Sequence, residues 1–204
     1  MNTKEHWEKV YRSKSSTEVS WYQQQPGTSL SFFSELAVPK DAAIIDIGGG
    51  DSNLVDFLIA EGYKDITVLD ISEKALEKAK SRLGKNAGLV NWVVSDVNMF
   101  QSGKKFDIWH DRAVLHFLTG DAERERYLET ANRNLNANAK LIIGTFSDKG
   151  PQKCSGLPVK RYTENSLADV VKKYFKKIKC ITANHITPFN TIQNFLFCSF
   201  LKKV

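Results

Sequence analysis

Apolar residues fall into two rhythms along this chain, and their alternation predicts most of its architecture. Short apolar, largely β-branched runs at 44–47, 66–70, 89–94, 106–111 and 139–146 are expected to be buried strands. Between several of them, apolar residues recur three and four apart, the spacing of one helix face. Such helices are predicted from 53 to 59, after a Ser72 cap from 73 to 79, and over 121–135, where Tyr127, Leu128 and Leu135 face inward. Strands alternating with helices imply βαβ crossovers and a parallel sheet covered on both sides. After Phe146 the rhythm changes. A polar loop over 147–162 leads to a helix over 163–175, and two further apolar segments, 178–186 and 194–203, are joined around Pro188-Phe189-Asn190. That link is too short for a crossover helix, so the two segments should pair antiparallel. The expected fold class is α/β: a doubly wound sheet of seven strands, mostly parallel with an antiparallel last strand, and helices on both faces.

Some forty residues precede the first strand. Residues 1–14 set Trp7, Val10 and Tyr11 on one helical face, Glu18-Val19-Ser20-Trp21-Tyr22 follows, and Ser29 is expected to cap a helix over 30–36. An extension this rich in Trp and Tyr should pack over the sheet edge or over a bound ligand. Residues 1–40 are therefore expected to cover a site, and residues 41–204 to form the core of one structural domain.

Composition narrows the class. With 204 residues, 42% of them hydrophobic, the chain can bury one sizeable core. No apolar run is long enough for a membrane span, and Met1-Asn2-Thr3-Lys4-Glu5-His6 is too charged for a secretory signal, so a cytoplasmic protein with no membrane partner is expected. Cys154, Cys180 and Cys198 are odd in number and widely spaced, which predicts reduced thiols, and no His/Cys cluster suggests a metal. The net charge of +6 collects at Lys172, Lys173, Lys176, Lys177, Lys179, Lys202 and Lys203. Without interleaved aromatic residues these lysines predict a solvated face and make nucleic acid an unlikely partner.

The candidate chemistry centres on Ile44-Ile45-Asp46-Ile47-Gly48-Gly49-Gly50-Asp51-Ser52. A strand that ends in glycines and opens into a helix lets backbone N–H groups approach a small polar ligand. In a doubly wound sheet ligands lie at the carboxyl ends of the strands, and Asp46, Asp70, Asp96 and Asp111 fall at four such ends. Asp70 stands some twenty residues beyond the glycines, the place from which a carboxylate takes the hydroxyls of a ribose. Both NAD and S-adenosylmethionine carry that ribose. Ser52 in place of a third spaced glycine, with Asp51 beside it, disfavours a pyrophosphate, whereas a cationic ligand tolerates Asp46 and Asp51.

The ordered set Asp46-Ile47-Gly48-Gly49-Gly50, Asp70, Ser95-Asp96-Val97 and Phe106-Asp107-Ile108-Trp109-His110-Asp111 resembles the motifs of class I S-adenosylmethionine-dependent methyltransferases. The resemblance covers nearly the whole chain and implies a Rossmann-like sheet with S-adenosylmethionine as cofactor and S-adenosylhomocysteine as product. It further implies that Gly48, Gly49 and Gly50 line the methionyl part, that Asp70 with Ile71 beside it binds the ribose, and that Asp96 receives the adenine amino group with Val97 against the ring. His6-Trp7-Glu8-Lys9-Val10-Tyr11 and Ser20-Trp21-Tyr22 look like the N-terminal cover of a subgroup that includes protein-lysine and thiopurine- or thiol-type methyltransferases.

Methyl transfer from a sulfonium needs an in-line approach, a dry pocket and a deprotonated acceptor. Trp21 and Tyr22 are expected to close over the cofactor, where an aromatic face favours the sulfonium. His110 or His116 is expected to serve as base or acceptor-orienting group, and Asp111 to hold the cofactor's ammonium or an acceptor amine. The 147–162 loop is the candidate acceptor lid, with Cys154, Lys160 and Arg161 in it. The expected acceptor is a nucleophilic nitrogen or sulfur on a small molecule or a protein lysine, and the expected assembly a monomer or weak dimer. Two other functions fit the same residues less well: an NAD-linked oxidoreductase and a catalytically inactive S-adenosylmethionine-binding module.

Overall fold

The structure is a computed structural model and describes residues 3–203. In chain order its elements are α1 (Thr3–Ser13), α2 (Gly27–Glu35), β1 (Ala43–Ile47), α3 (Leu54–Ala60), β2 (Asp65–Asp70), α4 (Glu73–Leu83), β3 (Val90–Val94), β4 (Phe106–Arg112), α5 (Asp121–Asn134), β5 (Leu135–Phe146), β6 (Lys153–Cys154), β7 (Leu157–Pro158), α6 (Glu164–Val171), β8 (Phe175–Ile186) and β9 (Ile192–Lys202). Seven strands form one sheet in the order β3-β2-β1-β4-β5-β9-β8. β1 to β5 pair in parallel, and β9 runs antiparallel to both β5 and β8. The sheet is therefore the mostly parallel, Rossmann-like one expected, with the antiparallel last strand inserted beside β5.

Because side chains alternate across a strand, each central strand feeds two cores. Trp109 and Leu141 join Tyr127, Leu128, Phe175 and Phe200 on one face. Ile108 and Ile142 join Phe32, Phe33, Leu58 and Phe197 on the other. Each such side chain, once fully buried, contributes roughly 1.5–3 kcal/mol of hydrophobic stabilisation. Gly144 shows how tightly β5 meets β9: a Cβ there would stand 2.5 Å from the Phe197 ring.

β1 lies between β2 and β4, so the chain winds outward from it in both directions. That switch point opens a crevice at the carboxyl ends of the strands. The N-terminal segment is tied down over this end by several hydrogen bonds. Glu8 Oε1 accepts from the backbone N–H of Glu73 at 2.6 Å, placing a carboxylate at the positive end of α4. Asn53 Nδ2 donates to the carbonyl of Gln23 at 3.0 Å, and His185 Nε2 donates to that of Ser20 at 2.7 Å.

Some local expectations are corrected. Ser29 does not cap α2 but lies inside it, because the helix already starts at Gly27, directly after Pro26. Ser72 does cap α4, accepting from Ala75 N at 3.2 Å. The 147–162 segment contains the small β6–β7 hairpin. The expectation of three reduced thiols fails for two of them: Cys180 and Cys198 form a disulfide, while Cys154 is free. Spacing along the chain hid the pair, because the β8–β9 register sets the two residues directly opposite one another with Cα atoms 4.1 Å apart. The C-terminal lysines are largely spent on surface ion pairs, Lys173 with Glu125, Lys177 with Glu164 and Lys179 with Glu35. Among the described residues no helix is long and apolar enough to cross a membrane, and no group of His, Cys, Asp and Glu could hold a metal ion.

Candidate active site

An elongated cavity runs along the switch point, from Ser95 and Asp96 past the glycine turn to Arg112 and Cys154. The turn has its shape because Gly48 and Gly50 adopt left-handed backbone angles, with φ of +63° and +48°. Side chains there would collide with what the turn must approach. A Cβ on Gly48 would lie 2.1 Å from Val114 Cγ2, and one on Gly50 would lie 2.7 Å from Tyr11 Oη and 3.0 Å from Asp70 Oδ2. Gly48 and Gly49 line the cavity, and Gly50 stands behind them under Tyr11 and Asp70.

At one end of the cavity are Leu69, Asp70, Ile71, Asp96 and Val97. Asp70 is buried, with Oδ1 accepting from Ser72 N at 2.8 Å. Burial pushes its carboxyl up to about 7, opposed by the Ser72 hydrogen bond and aided by the nearby Asp46 charge. Asp96 is exposed, Oδ1 accepts from Asn98 N at 2.8 Å, and Val97 beside it is buried. Asp51 turns out of the main cavity to pair with Arg82, which also holds Asp56. The carboxylates bordering the cavity are thus Asp46, Asp70, Asp96 and Glu123.

In the middle, Asp46 Oδ1 is 2.7 Å from His110 Nδ1, and His110 Nε2 is 2.9 Å from Ser29 Oγ. All three are buried and border the cavity. Trp7, Tyr11, Trp21 and Phe117 roof it, with Trp7 making edge contacts to Trp21 at 5.7 Å and to Phe117 at 5.1 Å.

Asp111 and His116 do not line the cavity. Asp111 is fully buried and turned into the loop after β4: Oδ1 accepts from Val114 N at 2.8 Å, and Oδ2 from Leu115 N at 3.1 Å and Tyr127 Oη at 2.6 Å. Burial pushes its carboxyl up to about 6 despite these donors. His116 is wedged between Phe117 and Phe146, with ring centroids 4.4 and 4.7 Å away, and neither ring nitrogen has a hydrogen-bond partner. Burial, and then the charge of Arg112, depress its pKa to about 3, so the ring is neutral. Cys154 reaches the cavity from β6, and burial pushes its thiol up to about 11. Arg161 donates to the carbonyl of Asp148 at 2.8 Å, within its own loop.

Glu8 and Tyr11 were expected in the N-terminal cover and Ser29 at a helix cap, but their partners, α4, Gly50 and His110, were not foreseen. Each acts on a residue far along the chain, and no local spacing announces such a contact.

The residues present suit a cationic nucleoside: buried and exposed carboxylates to accept from hydroxyl and amino groups, a glycine cradle no larger residue could form, and an aromatic roof. The fold is the Rossmann-like one of solved S-adenosylmethionine-dependent methyltransferases. Residues 45–141 match the family described as methyltransferase domain. The chain is 28% identical over 148 residues to the eEF1A lysine and N-terminal methyltransferase of Mus musculus, covering 68% of this chain and 20% of that protein. It is 32% identical over 95 residues to nodulation protein S of Rhizobium tropici, covering 47% and 40%. The crystal structure of the N-methyltransferase NodS from Bradyrhizobium japonicum in complex with S-adenosylhomocysteine superimposes with a TM-score of 0.74 at 14% identity, covering 97% of this chain and 98% of that one. The chain spans less than half the length of the two curated relatives named here.

Proposed function

We propose that this chain moves a methyl group from S-adenosylmethionine to a nucleophilic nitrogen or sulfur on a small molecule or protein lysine, acting in the cytoplasm as a monomer or weak dimer. The observation that carries the proposal is the cavity that brings the glycine turn, Asp70, Asp96 and the aromatic roof to one switch point. The relatives named for lysine methylation and for N-methylation favour nitrogen.

When bound, the cofactor supplies an electrophilic methyl group on a sulfonium that departs as a neutral thioether. Asp70 binds the ribose hydroxyls with Ile71 beside it, Asp96 accepts from the adenine amino group against Val97, and Gly48 and Gly49, backed by Gly50, give the methionyl part its close approach. Asp46 faces the positive charge. Residues 1–40 act as the cover, with Trp21 excluding water and presenting an aromatic face to the sulfonium.

Of the candidate bases, His110 borders the cavity, and the Ser29 hydroxyl connects it to the lined space. His110 therefore takes the acceptor's proton through Ser29, with Asp46 stabilising the charged ring. Asp111 and His116 are positioning residues in this scheme: Asp111 fixes the loop after β4, and His116 props that loop against Phe146. The replacement His110→Gln keeps hydrogen-bonding capacity and removes the base. It should lower kcat about 100-fold and leave the affinity for S-adenosylhomocysteine within about threefold; unchanged turnover would remove the base assignment. The whole proposal is tested by incubating the chain with methyl-labelled cofactor and cell lysate, then separating protein from small molecules. Label in one fraction names the acceptor class, and label in neither contradicts the activity. The cytoplasmic assignment bears on the Cys180–Cys198 bond, which a reducing compartment would keep open; alkylation of the protein under acid quench counts those thiols.

A further inference from the structure

Arg112 closes β4 with a guanidinium that is only partly used. Its Nη1 donates to the Trp21 carbonyl at 3.0 Å, while Nε and Nη2 are buried and have no hydrogen-bond partner. Among the described residues it makes no ion pair, unlike Arg12, Arg82 and Arg124. The largest influence of opposite charge on it is that of Asp46, one of whose oxygens is already bonded to His110. The guanidinium packs over the Phe195 ring, 5.4 Å from its centroid, and borders the same cavity as Trp21, Phe117 and Cys154.

The two unused donors are not an arbitrary pair. Nε–H and Nη2–H lie along one edge of the planar guanidinium and point in parallel, the spacing of the two oxygens of a carboxylate. An arginine keeps its proton even when buried, and leaving charged donors without acceptors is costly, so this edge is built to be filled. A single guanidinium among apolar side chains balances one negative charge. A phosphate dianion would keep an uncompensated charge there, with Asp46 adding to the repulsion.

We propose that the free edge of Arg112 is the seat of the methyl acceptor's carboxylate, so that the acceptor is a carboxylic acid with an apolar body. The proposal rests on the methyl-transfer reading above. It makes Arg112 a specificity-determining residue and Trp21, bonded to the same guanidinium, the element through which an occupied seat holds the N-terminal cover.

The test uses the full chain as wild type, Arg112→Gln and Arg112→Lys, the last keeping the charge without the fork. In one arm, calorimetry compares S-adenosylhomocysteine with its decarboxylated analogue. Wild type and both variants should show the same preference between the two compounds; a preference of about tenfold or more that both variants lose gives the edge to the cofactor and overturns the proposal. In the other arm, with S-adenosylhomocysteine saturating, thermal unfolding is followed with benzoate, its neutral match benzamide, and inorganic phosphate. If the acceptor fills the seat, benzoate raises the wild-type midpoint, benzamide and phosphate do not, and both variants lose the benzoate effect. Absence of an Arg112-dependent benzoate effect overturns the proposal as well. If wild type fails to bind S-adenosylhomocysteine at all, it is the methyl-transfer reading that falls. Should Arg112→Gln unfold because the tie to Trp21 is lost, Arg112→Lys alone decides the outcome.

Discussion

The two ends of the cavity are finished to different degrees. Towards β1, β2 and β3 the polar groups already have partners of the chain's own: Asp70 has Ser72 N, Asp96 has Asn98 N, and Asp46 has His110. Towards β4, β5 and β9, Arg112 keeps two donors unpaired. The first end is preorganised, so a cofactor meets groups that need little rearrangement. The second end holds polar capacity in reserve, as expected where a variable second ligand completes the site.

Breaking the finished end should give the largest effects. Gly48→Ala puts a Cβ into Val114 at a left-handed position and should weaken S-adenosylhomocysteine binding at least about 100-fold, because the turn must move. Gly156→Ala is the matched control: its φ of +79° is also left-handed, but nothing lies within 4 Å of the added Cβ. It should cost about 1–2 kcal/mol of stability and no affinity. Calorimetric titration of both variants checks the contrast.

Asp70→Asn should weaken cofactor binding by about tenfold, the worth of a charged hydrogen bond. It should also stabilise the ligand-free protein at neutral and higher pH. Burial raises the folded pKa of Asp70 to about 7 and that of Asp111 to about 6, above the 3.8 of an ordinary aspartate. The folded chain therefore retains protons that the unfolded chain has released. The contribution of these two groups is fully present below about pH 4 and is lost as pH rises through 6 to 7. Accepting from ribose hydroxyls needs the ionised Asp70, so cofactor affinity should rise with pH through the same window while the unliganded protein loses stability. Thermal melts with and without S-adenosylhomocysteine from pH 5 to 8 separate the two trends.

Trp21→Ala should reduce cofactor affinity by a smaller factor, about three- to tenfold, through loss of the roof. Unchanged affinity would reduce Trp21 to an anchor of the N-terminal segment. The smallest effect is expected outside the cavity, at His116. His116 has a folded pKa of about 3 against the ordinary 6.5, so the unfolded chain takes up its proton first and stability falls as pH drops from about 6.5 towards 3. His116→Phe should remove that acid sensitivity, leave S-adenosylhomocysteine affinity unchanged and alter stability near pH 8 by less than about 1.5 kcal/mol.

The same contrast explains what the sequence could disclose. The strand ends of β1, β2 and β3 were legible because the glycines, Asp70 and Asp96 follow one another at spacings fixed by strand–turn–helix geometry. The antiparallel last strand was legible from the change of rhythm after Phe146. The roles at the end of β4 were not. His110 and Arg112 differ by two residues, yet one is bonded to Ser29, 81 residues away, and the other to Trp21, 91 residues away. Asp111, adjacent to both, turns to Tyr127 because alternation along the strand sends it to the opposite core. The Cys180–Cys198 pair escaped for a similar reason: the register of a hairpin sets it, and the spacing in sequence does not.

The central claim is that the glycine turn and Asp70 form a seat for S-adenosylmethionine. Calorimetric titration of wild type and Asp70→Asn with S-adenosylhomocysteine and, in parallel, with NAD tests it most directly. Wild type should bind S-adenosylhomocysteine one to one, the variant about tenfold more weakly, and NAD should give no heat with either. Binding of NAD in preference, or equal S-adenosylhomocysteine affinity in the two proteins, would contradict it.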